Sequence, residues 1–315
     1  MSAVRPVVVV GDVGLDVIVR PHGAIQHGTD TRSDVTITPG GAGANTAAWL
    51  AAYGMDVTLL ARIGADHAGE SVRADLAAHG VSAALAVDST HPTCTVVVLV
   101  AADGERTMFP DRGANRHLTE GDVDLTRLGL GGEHGAVPHL HVSAYVLFDE
   151  GSRAAGLAAL RQARALGWTT SVDPQSPAHL RSVGTRTFLG WVADTDLLLP
   201  NEAELATLGG EDAVLTAVGA VVVTADAHGA RWVCRAADGS LDTVRVEAPS
   251  VEVVDPTGAG DAFNAGFLGA WLSGTDPDSA LRAGVTAGSA AVTRTGARPD
   301  LRSGQPDDQK ASVGT

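Results

Sequence analysis

The architecture of this chain follows from one stretch, Val251-Glu-Val-Val-Asp-Pro-Thr-Gly-Ala-Gly-Asp-Ala-Phe-Asn-Ala-Gly-Phe-Leu-Gly-Ala-Trp-Leu272. Its apolar residues up to Val254 predict the end of a strand, and the glycine-rich segment that follows predicts a tight turn. A helix is predicted over 262–272, because Phe263, Phe267 and Trp271 recur on one helical face. The stretch therefore predicts a strand, a glycine turn and the start of a helix.

The turn before this helix has the composition of an anion-binding site. Gly258 and Gly260 let the backbone approach a ligand closely, and the first amides of the helix are unpaired donors at the positive end of its dipole. Asp261 lies among these donors, and we expect them to stabilise its ionised form and so to lower its pKa. A site that only binds phosphate would avoid such a carboxylate, whereas a site that transfers a phosphoryl group can use it.

Asp261 is therefore interpreted as a general base. It would take the proton of an accepting hydroxyl while the backbone of Gly258, Ala259 and Gly260 stabilises charge on the transferred oxygens. A base with a lowered pKa is weak, but a loose phosphoryl-transfer transition state needs an oriented nucleophile more than early proton removal. The structural alternative is an Asp that only caps the helix.

This stretch resembles the C-terminal signature of the ribokinase-like (PfkB) family of carbohydrate and nucleoside kinases, in which Asp-Thr/Pro-Thr-Gly-Ala-Gly-Asp carries the anion hole and the catalytic base. The resemblance implies ATP as the phosphoryl donor. It also implies the fold class, an α/β protein with a three-layer α/β/α domain, a mostly parallel central sheet and a small β-sheet lid.

The pattern of the whole chain agrees with this fold class. Strands predicted at 7–10 and 57–63 alternate with helices predicted at 46–53 and 68–79, which favours a parallel sheet covered on both faces. Segments 13–39 and 93–112 carry short strands with polar turns and are predicted to form the lid. We expect one kinase domain over 1–300, followed by a polar tail over 301–315 that is predicted to be disordered.

Composition excludes several classes of protein. The 22 Lys and Arg residues against 37 Asp and Glu residues give a charge of -15, which argues against a nucleic-acid surface. Cys94 and Cys234 have no paired spacing, so neither a disulfide framework nor a zinc site is predicted. The apolar run 7–10 is interrupted by Gly11 and no signal-like cleavage site follows it. We expect a cytoplasmic protein that does not bind a membrane.

Three segments resemble the substrate-binding motifs of the family. The first, Gly40-Gly-Ala-Gly-Ala-Asn45, resembles Gly-Gly-x-Gly-x-Asn, whose backbone admits a sugar and whose Asn bonds sugar hydroxyls. The second is the opening segment Gly11-Asp-Val-Gly-Leu-Asp16, and the third is Arg112-Gly-Ala-Asn115. Without the resemblance these would be glycine turns and a solvated lid face. The implied substrate site consists of Asp12, Asp16, Gly40, Gly41, Asn45 and Asn115.

Two further segments resemble the nucleotide and magnesium motifs. Asn201-Glu-Ala-Glu204 resembles Asn-x-x-Glu, which holds Mg²⁺ and its water shell through the hard oxygen ligands that this ion prefers. Its alternative is an acidic helix start that complements the dipole. Thr224-Ala-Asp-Ala-His-Gly229 resembles Thr-x-Gly-x-x-Gly, with Asp226 replacing the first glycine. The implied nucleotide site consists of Asn201, Thr224, Asp226, Gly229, Gly258 and Gly260, with Asn201 and Glu204 as the Mg²⁺ shell.

The loop around Gly296 resembles the segment that supplies carbonyls to an activating monovalent cation in ribokinases. Together with the turn at Asp255 and Thr257, it makes K⁺ a candidate cofactor at these three residues. Asp255 could equally be a structural turn residue.

Two other enzyme classes are excluded because their glycine motifs are absent from the sequence. A dinucleotide-binding Gly-x-Gly-x-x-Gly is excluded because Thr46 and Phe263 stand where the third glycine would be, and no Walker sequence is present. We therefore predict an ATP-dependent kinase that phosphorylates a hydroxymethyl group of a sugar such as ribose, fructose or 2-keto-3-deoxygluconate. The alternatives are a nucleoside kinase of the same family and a catalytically silent sugar-binding homologue. A homodimer through the lid is also expected, because exposed strand edges favour pairing.

Overall fold

The structure is a computed structural model that describes residues 5–101, 104–130 and 136–301. Apart from Leu301, the predicted tail lies outside the described residues. In chain order the strands are β1 (Val7–Val10), β2 (Gly14–Pro21), β3 (Ser33–Gly40), β4 (Val57–Gly64), β5 (Ser82–Asp88), β6 (Cys94–Val100), β7 (Arg106–Asp111), β8 (His139–Ser143), β9 (Thr169–Asp173), β10 (Thr195–Leu198), β11 (Val218–Thr224), β12 (Ala230–Arg235) and β13 (Leu241–Val246).

The α-helices lie between these strands, mostly as crossover connections. They are α1 (Ala42–Ala52), α2 (His67–Ala78), α3 (Tyr145–Phe148), α4 (Glu150–Ala165), α5 (Pro177–Val183), α6 (Thr185–Trp191), α7 (Glu202–Thr207), α8 (Glu211–Val214), α9 (Ala259–Leu272) and α10 (Pro277–Ala291). Within the described ranges, every helix is too short or too polar to cross a membrane.

Two sheets account for the described strands. The larger has the order β13-β12-β11-β10-β9-β8-β1-β4-β5, and its strands are parallel except for the antiparallel pairs β11–β12 and β12–β13. The smaller has the order β3-β2-β6-β7 and is built from the two segments that were predicted to form a lid. The predicted fold class is confirmed.

The core of the larger sheet has two faces, as the apolar run in β1 predicts. Val7 and Val9 belong to a buried cluster with residues of α1, α9 and α10. Val8 and Val10 point the other way and belong to a second cluster with residues of α4, α5 and α6. Successive side chains of a strand alternate between its faces, so a strand covered on both sides is apolar throughout.

Two strands that the apolar runs 251–254 and 140–147 predict differ from the structure. The segment 251–254 is not a strand; Val253 and Val254 are exposed, and the backbone N–H of Val254 donates to the carbonyl of Val292 at 2.8 Å. It crosses from β13 to α9 without pairing beside another strand. The predicted strand over 140–147 ends at Ser143, because the chain turns into α3 after Ala144 donates its N–H to Asp173.

Candidate active site

A cavity of about 190 Å³ lies at one edge of the larger sheet, beyond the carboxyl ends of β9, β10 and β11. In parallel α/β sheets this edge is where ligands bind. The cavity brings together predicted residues that are far apart in the sequence. Its lining consists of Asp173, Gln175, Leu199, Asn201, Glu204, Thr224, Pro256, Gly258, Ala259, Gly260, Asp261 and Asn264.

The glycine turn lies against the cavity as the sequence predicts. Gly258 is the N-terminal cap residue of α9 and has a φ of 75°, and a Cβ there would lie 2.5 Å from the carbonyl oxygen of Ala297. Among the described residues, the amides of Gly258 and Gly260 donate to no partner. The amide of Ala259 makes a long 3.3 Å bond to the Pro256 carbonyl. Two free amides at a helix N-terminus can therefore face an anion.

Asp261 is a buried carboxylate that lines the cavity. Its oxygens accept hydrogen bonds from Asn45 Nδ2 and Thr46 Oγ1, both at 3.1 Å, and the side chain is buried. Its pKa is raised to about 7, chiefly by burial and to a smaller extent by the nearby charges of Asp12 and Asp16, and the two hydrogen bonds offset this only in part. The sequence-based expectation of a lowered pKa is therefore wrong, because loss of water outweighs the local donors.

The predicted substrate turn is held against the end of β1 by Asp12. The carboxylate of Asp12 accepts hydrogen bonds from the backbone N–H groups of Ala42 and Gly43, at 3.3 and 3.2 Å, and from Ser143 Oγ at 3.0 Å. Gly41 has a φ of 92°, and a Cβ there would lie 2.6 Å from Val13 Cα. Asp12 is thus occupied in positioning the turn, and Gly41 is required for its close approach to β1.

Asp16 projects from β2 towards the same turn. A Cβ on Gly40 would lie 2.5 Å from Asp16 Oδ1, so only glycine leaves room for this carboxylate. The pKa of Asp16 is raised to about 6, chiefly by burial and also by the charge of Asp12, although the charge of Arg298 opposes the shift. Arg298 donates from Nε to Asn45 Oδ1 at 3.2 Å and from Nη2 to the Gly40 carbonyl at 3.2 Å. Sequence reasoning missed Arg298, since nothing in its loop marks a buried charge.

Asn115 does not face the cavity. Its side chain accepts from the Val13 N–H at 3.3 Å and donates to the Val13 carbonyl at 3.0 Å, which uses both ends of the amide. The residue therefore joins the segment after β7 to the end of β1. Its contact with a sugar stays a prediction.

The predicted magnesium residues form a helix cap and also face the cavity. Asn201 Oδ1 accepts from the Glu204 N–H and Glu204 Oε2 accepts from the Asn201 N–H, both at 2.9 Å. Asp173, which sequence reasoning did not select, accepts a 2.7 Å bond from Asn264 Nδ2. Burial raises the pKa of both Asp173 and Glu204, which also repel one another. The two interpretations of the Asn-x-x-Glu segment are thus compatible.

These oxygens fit Mg²⁺ bound together with phosphates. Within the described residues no group of three or more His, Cys, Asp or Glu side chains could hold a metal ion alone. Mg²⁺ commonly takes one or two carboxylates, keeps several waters and completes its shell with substrate phosphates. Asp173 and Glu204, two buried carboxylates that both line the cavity, match that donor set.

The predicted potassium residues do not fit a free cation. Asp255 Oδ1 accepts from the Thr257 N–H at 2.9 Å and from Arg106 Nη2 at 2.6 Å, and Asp255 Oδ2 accepts from the Gly296 N–H at 3.1 Å. Arg106 of β7 also donates from Nη1 to Thr257 Oγ1. A guanidinium group thus already neutralises this carboxylate, and a K⁺ ion there would have to displace it.

The predicted nucleotide segment is only partly at the cavity. Thr224 lines it and donates its N–H to the Pro200 carbonyl at 3.0 Å, next to the predicted magnesium residues. Asp226 is exposed on the 3₁₀ turn that follows, with a φ of 47°. Gly229 closes that turn with a φ of 91°. Neither Asp226 nor Gly229 contributes to the cavity wall.

This fold, its small second sheet and a buried carboxylate between the glycine turn at 40–43 and the cavity agree with the predicted class, a phosphotransferase with an alcohol acceptor. The description "pfkB family carbohydrate kinase" matches residues 4–303. The chain therefore belongs to the pfkB family of carbohydrate kinases, which confirms the predicted family and enzyme class.

Individual relatives extend over most of this chain. It is 30% identical over 272 residues to an ATP-dependent ribose-1-phosphate kinase of Halopiger xanaduensis, covering 82% of each chain. It is 31% identical to a fructokinase of Klebsiella pneumoniae, over 84% of this chain and 88% of the relative. The crystal structure of an adenosine kinase from Sinorhizobium meliloti superposes with a TM-score of 0.81 at 25% identity, covering 95% of this chain and 97% of the other.

Proposed function

We propose that the chain transfers a phosphoryl group from ATP to a hydroxymethyl group of a sugar. One observation carries this proposal. The carboxylate of Asp261 is hydrogen-bonded by Asn45 and Thr46 next to the substrate turn, and it also lines the cavity that contains Asn201 and Glu204. A hydroxyl held by the turn and a phosphate held in the cavity would meet at this carboxylate.

Asp261 then acts as the general base. It accepts the proton of the hydroxymethyl group as the oxygen of that group attacks the terminal phosphorus of ATP, and the bond from that phosphorus to the bridging oxygen breaks to release ADP. A pKa of about 7 suits a base that operates near neutral pH. The amides of Gly258 and Gly260, at the positive end of α9 beside Ala259, stabilise negative charge on the transferred oxygens.

The proposed sugar-binding site consists of Asp16, Gly40, Gly41 and Asn45, and Asp12 holds the turn in place. We assign residues 1–300 to one kinase domain, with the lid formed by about 13–39 and 93–112. Closure of the lid sheet over the sugar would exclude water and limit wasteful ATP hydrolysis.

ATP with Mg²⁺ is the proposed cofactor. Bound Mg²⁺ neutralises phosphate charge, and Asn201, Glu204 and Asp173 are the residues that would hold it with its water shell. Thr224 lies beside the phosphates in this arrangement, and Asp226 and Gly229 lie on the following turn, along which the nucleoside part of ATP would extend. We propose that K⁺ is not required, because Arg106 already occupies the carboxylate of Asp255.

We propose a homodimer through the lid and a cytoplasmic location. On one face of the lid sheet, Ile37 and Phe109 are 63% and 57% exposed, and strand register aligns them through Val17 and Val97. Such an apolar row suits an interface between two copies. The free thiols of Cys94 and Cys234 suit a reducing compartment, and the net charge of -15 does not suit nucleic acid.

A nucleoside acceptor is the second candidate, favoured by the close superposition on an adenosine kinase. A coupled ADP-release assay over sugars and nucleosides, with ATP and Mg²⁺, tests both. We expect turnover with at least one sugar, and Asp261→Asn should abolish it while leaving binding of that sugar nearly intact. Turnover with nucleosides alone would favour the second candidate. Absence of ADP release with every acceptor would instead identify a catalytically silent binding protein.

A further inference from the structure

Two largely buried arginines lie near the substrate turn, and their hydrogen bonds differ. Arg298 uses Nε, Nη1 and Nη2, which donate to Asn45, Asp75 and the Gly40 carbonyl respectively. Its role is to fix the turn. Arg112 uses only Nε, which donates to Asp149 Oδ2 at 2.6 Å.

The outer edge of the Arg112 guanidinium has no hydrogen-bond partner in the described part of the chain. Nη2 is buried and unpaired, and Nη1 lies 3.9 Å from Asp12 Oδ2, an ion pair without a hydrogen bond. The group lies over the ring of Tyr145, 4.9 Å from the ring centre. A buried donor without a partner is costly, and a ligand that accepts from it would remove that cost.

The position of Arg112 is fixed by the residues around it. Asn115, three residues later, is bonded to both backbone groups of Val13, which follows Asp12. Between them, Gly113 leaves no room for a side chain against the Pro92 carbonyl. The guanidinium is therefore held beside the end of β1 before any ligand arrives, which reduces the entropy cost of binding.

We propose that Arg112 binds an anionic group of the acceptor, so that the substrate is a sugar carrying a phosphate or a carboxylate rather than a neutral sugar. This inference rests on the proposed kinase function. The free Nη1 and Nη2 atoms form the planar fork that matches two oxygens of either anion. Asp12 forms an ion pair with Nη1 at 3.9 Å but accepts no hydrogen bond from it, because its oxygens accept from Ala42, Gly43 and Ser143.

The contacts that connect Arg112 and the base to α1 are separated along that helix by about the length of a sugar. Arg112 lies beside Asp12, which is bonded to the start of α1, and Asp261 is bonded to Asn45 and Thr46 about one helical turn later. One helical turn advances about 5.4 Å, which is comparable to the length of a pentose or hexose. The anionic group would thus lie at one end of the sugar and the reacting hydroxymethyl group at the other.

Matched pairs of acceptors test the inference. The ADP-release assay would compare fructose with fructose 1-phosphate and ribose with ribose 1-phosphate, and 2-keto-3-deoxygluconate would supply the carboxylate. We expect kcat/KM for the preferred anionic sugar to exceed that of its neutral counterpart by roughly 10- to 100-fold, the range typical of charged hydrogen bonds. Preference for the phosphates or for the sugar acid identifies which anion is bound.

Variants locate the effect. Arg112→Gln should lower the anionic-to-neutral ratio of kcat/KM by roughly 10- to 100-fold, mainly through KM, and Arg112→Lys should restore part of it because the charge remains. The matched control is Arg116→Gln. Arg116 lies 3.7 Å from the same Asp149, but its side chain is 63% exposed, so the ratio should change by less than about twofold.

Calorimetric titration of Asp261→Asn with the same sugars separates this inference from the proposed function, because it measures binding without turnover. Tighter binding of the anionic sugars that is lost in the Asp261→Asn, Arg112→Gln double variant supports it even if no ADP is released. Equal or weaker binding of the anionic sugars, or equal losses for both classes on changing Arg112, would overturn it while leaving a kinase of neutral sugars possible.

Discussion

Replacing the proposed base should stabilise the protein at alkaline pH while removing its activity. Asp261 is buried, and its pKa rises from 3.8 to about 7 on folding. A shift of about three pH units corresponds to roughly 4 kcal/mol of folding free energy, at about 1.36 kcal/mol per unit. Asp261→Asn removes this cost because the amide never ionises.

The amide can keep both hydrogen bonds of the carboxylate. In the variant, the side-chain oxygen can accept from Asn45 Nδ2, and the new amide nitrogen can donate to Thr46 Oγ1, whose hydroxyl turns to accept. The shape of the buried group is unchanged. No packing loss should therefore mask the electrostatic gain, which we expect to be at most about 4 kcal/mol at pH 8.

The effect has a defined sign and pH range. A raised folded-state pKa contributes stability that is complete below the unfolded pKa near 4 and is lost as pH rises through about 7. The difference between Asp261→Asn and the unaltered protein should thus grow from pH 4 to 7 and stay constant above. At roughly 2 °C per kcal/mol for a chain of this size, the melting temperature should rise by up to about 8 °C at pH 8.

Calorimetric melting between pH 4 and 9 measures this difference, and Asp66→Asn is a control of opposite sign. Burial acts to raise the pKa of Asp66, but hydrogen bonds from Thr93 and Gly69 lower it overall. That variant should be less stable at neutral pH and approach the unaltered protein in acid. An Asp261→Asn variant that melts at or below the unaltered protein at pH 8 would refute the burial argument.

Three further outcomes are expected. The kcat/KM of the active enzyme should fall about tenfold per pH unit below about 7, because only ionised Asp261 accepts a proton; a flat pH profile to pH 5 would count against this base. Gly258→Ala should lower the melting temperature, since its Cβ would clash with Ala297. Gly260→Ala meets no atom within 4 Å and should not, and circular dichroism melts compare the two. Added K⁺ should change turnover less than twofold, whereas Arg106→Ala should become K⁺-dependent; strong stimulation of the unaltered enzyme would contradict the Arg106 assignment.

The sequence predicted correctly those features that depend on residues close together in the chain. The glycine turn before Asp261, the apolar run 7–10 and the short strands of the lid each depend on neighbouring residues, and the structure contains all three. Ala259 begins the helix that was predicted from residue 262, because a helix start is fixed by the cap geometry of Gly258 rather than by apolar spacing. The valines at 251–254 were misassigned because apolar residues alone do not supply a neighbouring strand.

The missed residues are those whose role depends on contacts between distant segments. Asp173 ends a strand and meets Asn264 from 91 residues away, and Arg298 meets Asn45 across 253 residues. Arg106 reaches Asp255 only because the lid sheet approaches the glycine turn. An Asp after a strand or an Arg in a loop is common in any sequence, so no local pattern distinguishes these residues from solvated ones.

The error in the pKa of Asp261 shows which quantity the sequence leaves out. The glycine turn and the helix start supply hydrogen-bond donors and a dipole, and both favour the ionised form of Asp261. These two effects can be recognised in the sequence. Burial depends instead on what the rest of the chain packs around the group, and here Asn45, Thr46 and the carboxylates Asp12 and Asp16 surround it. The same burial that makes the group a competent base near pH 7 makes the folded protein less stable, so reactivity and stability oppose one another at this residue.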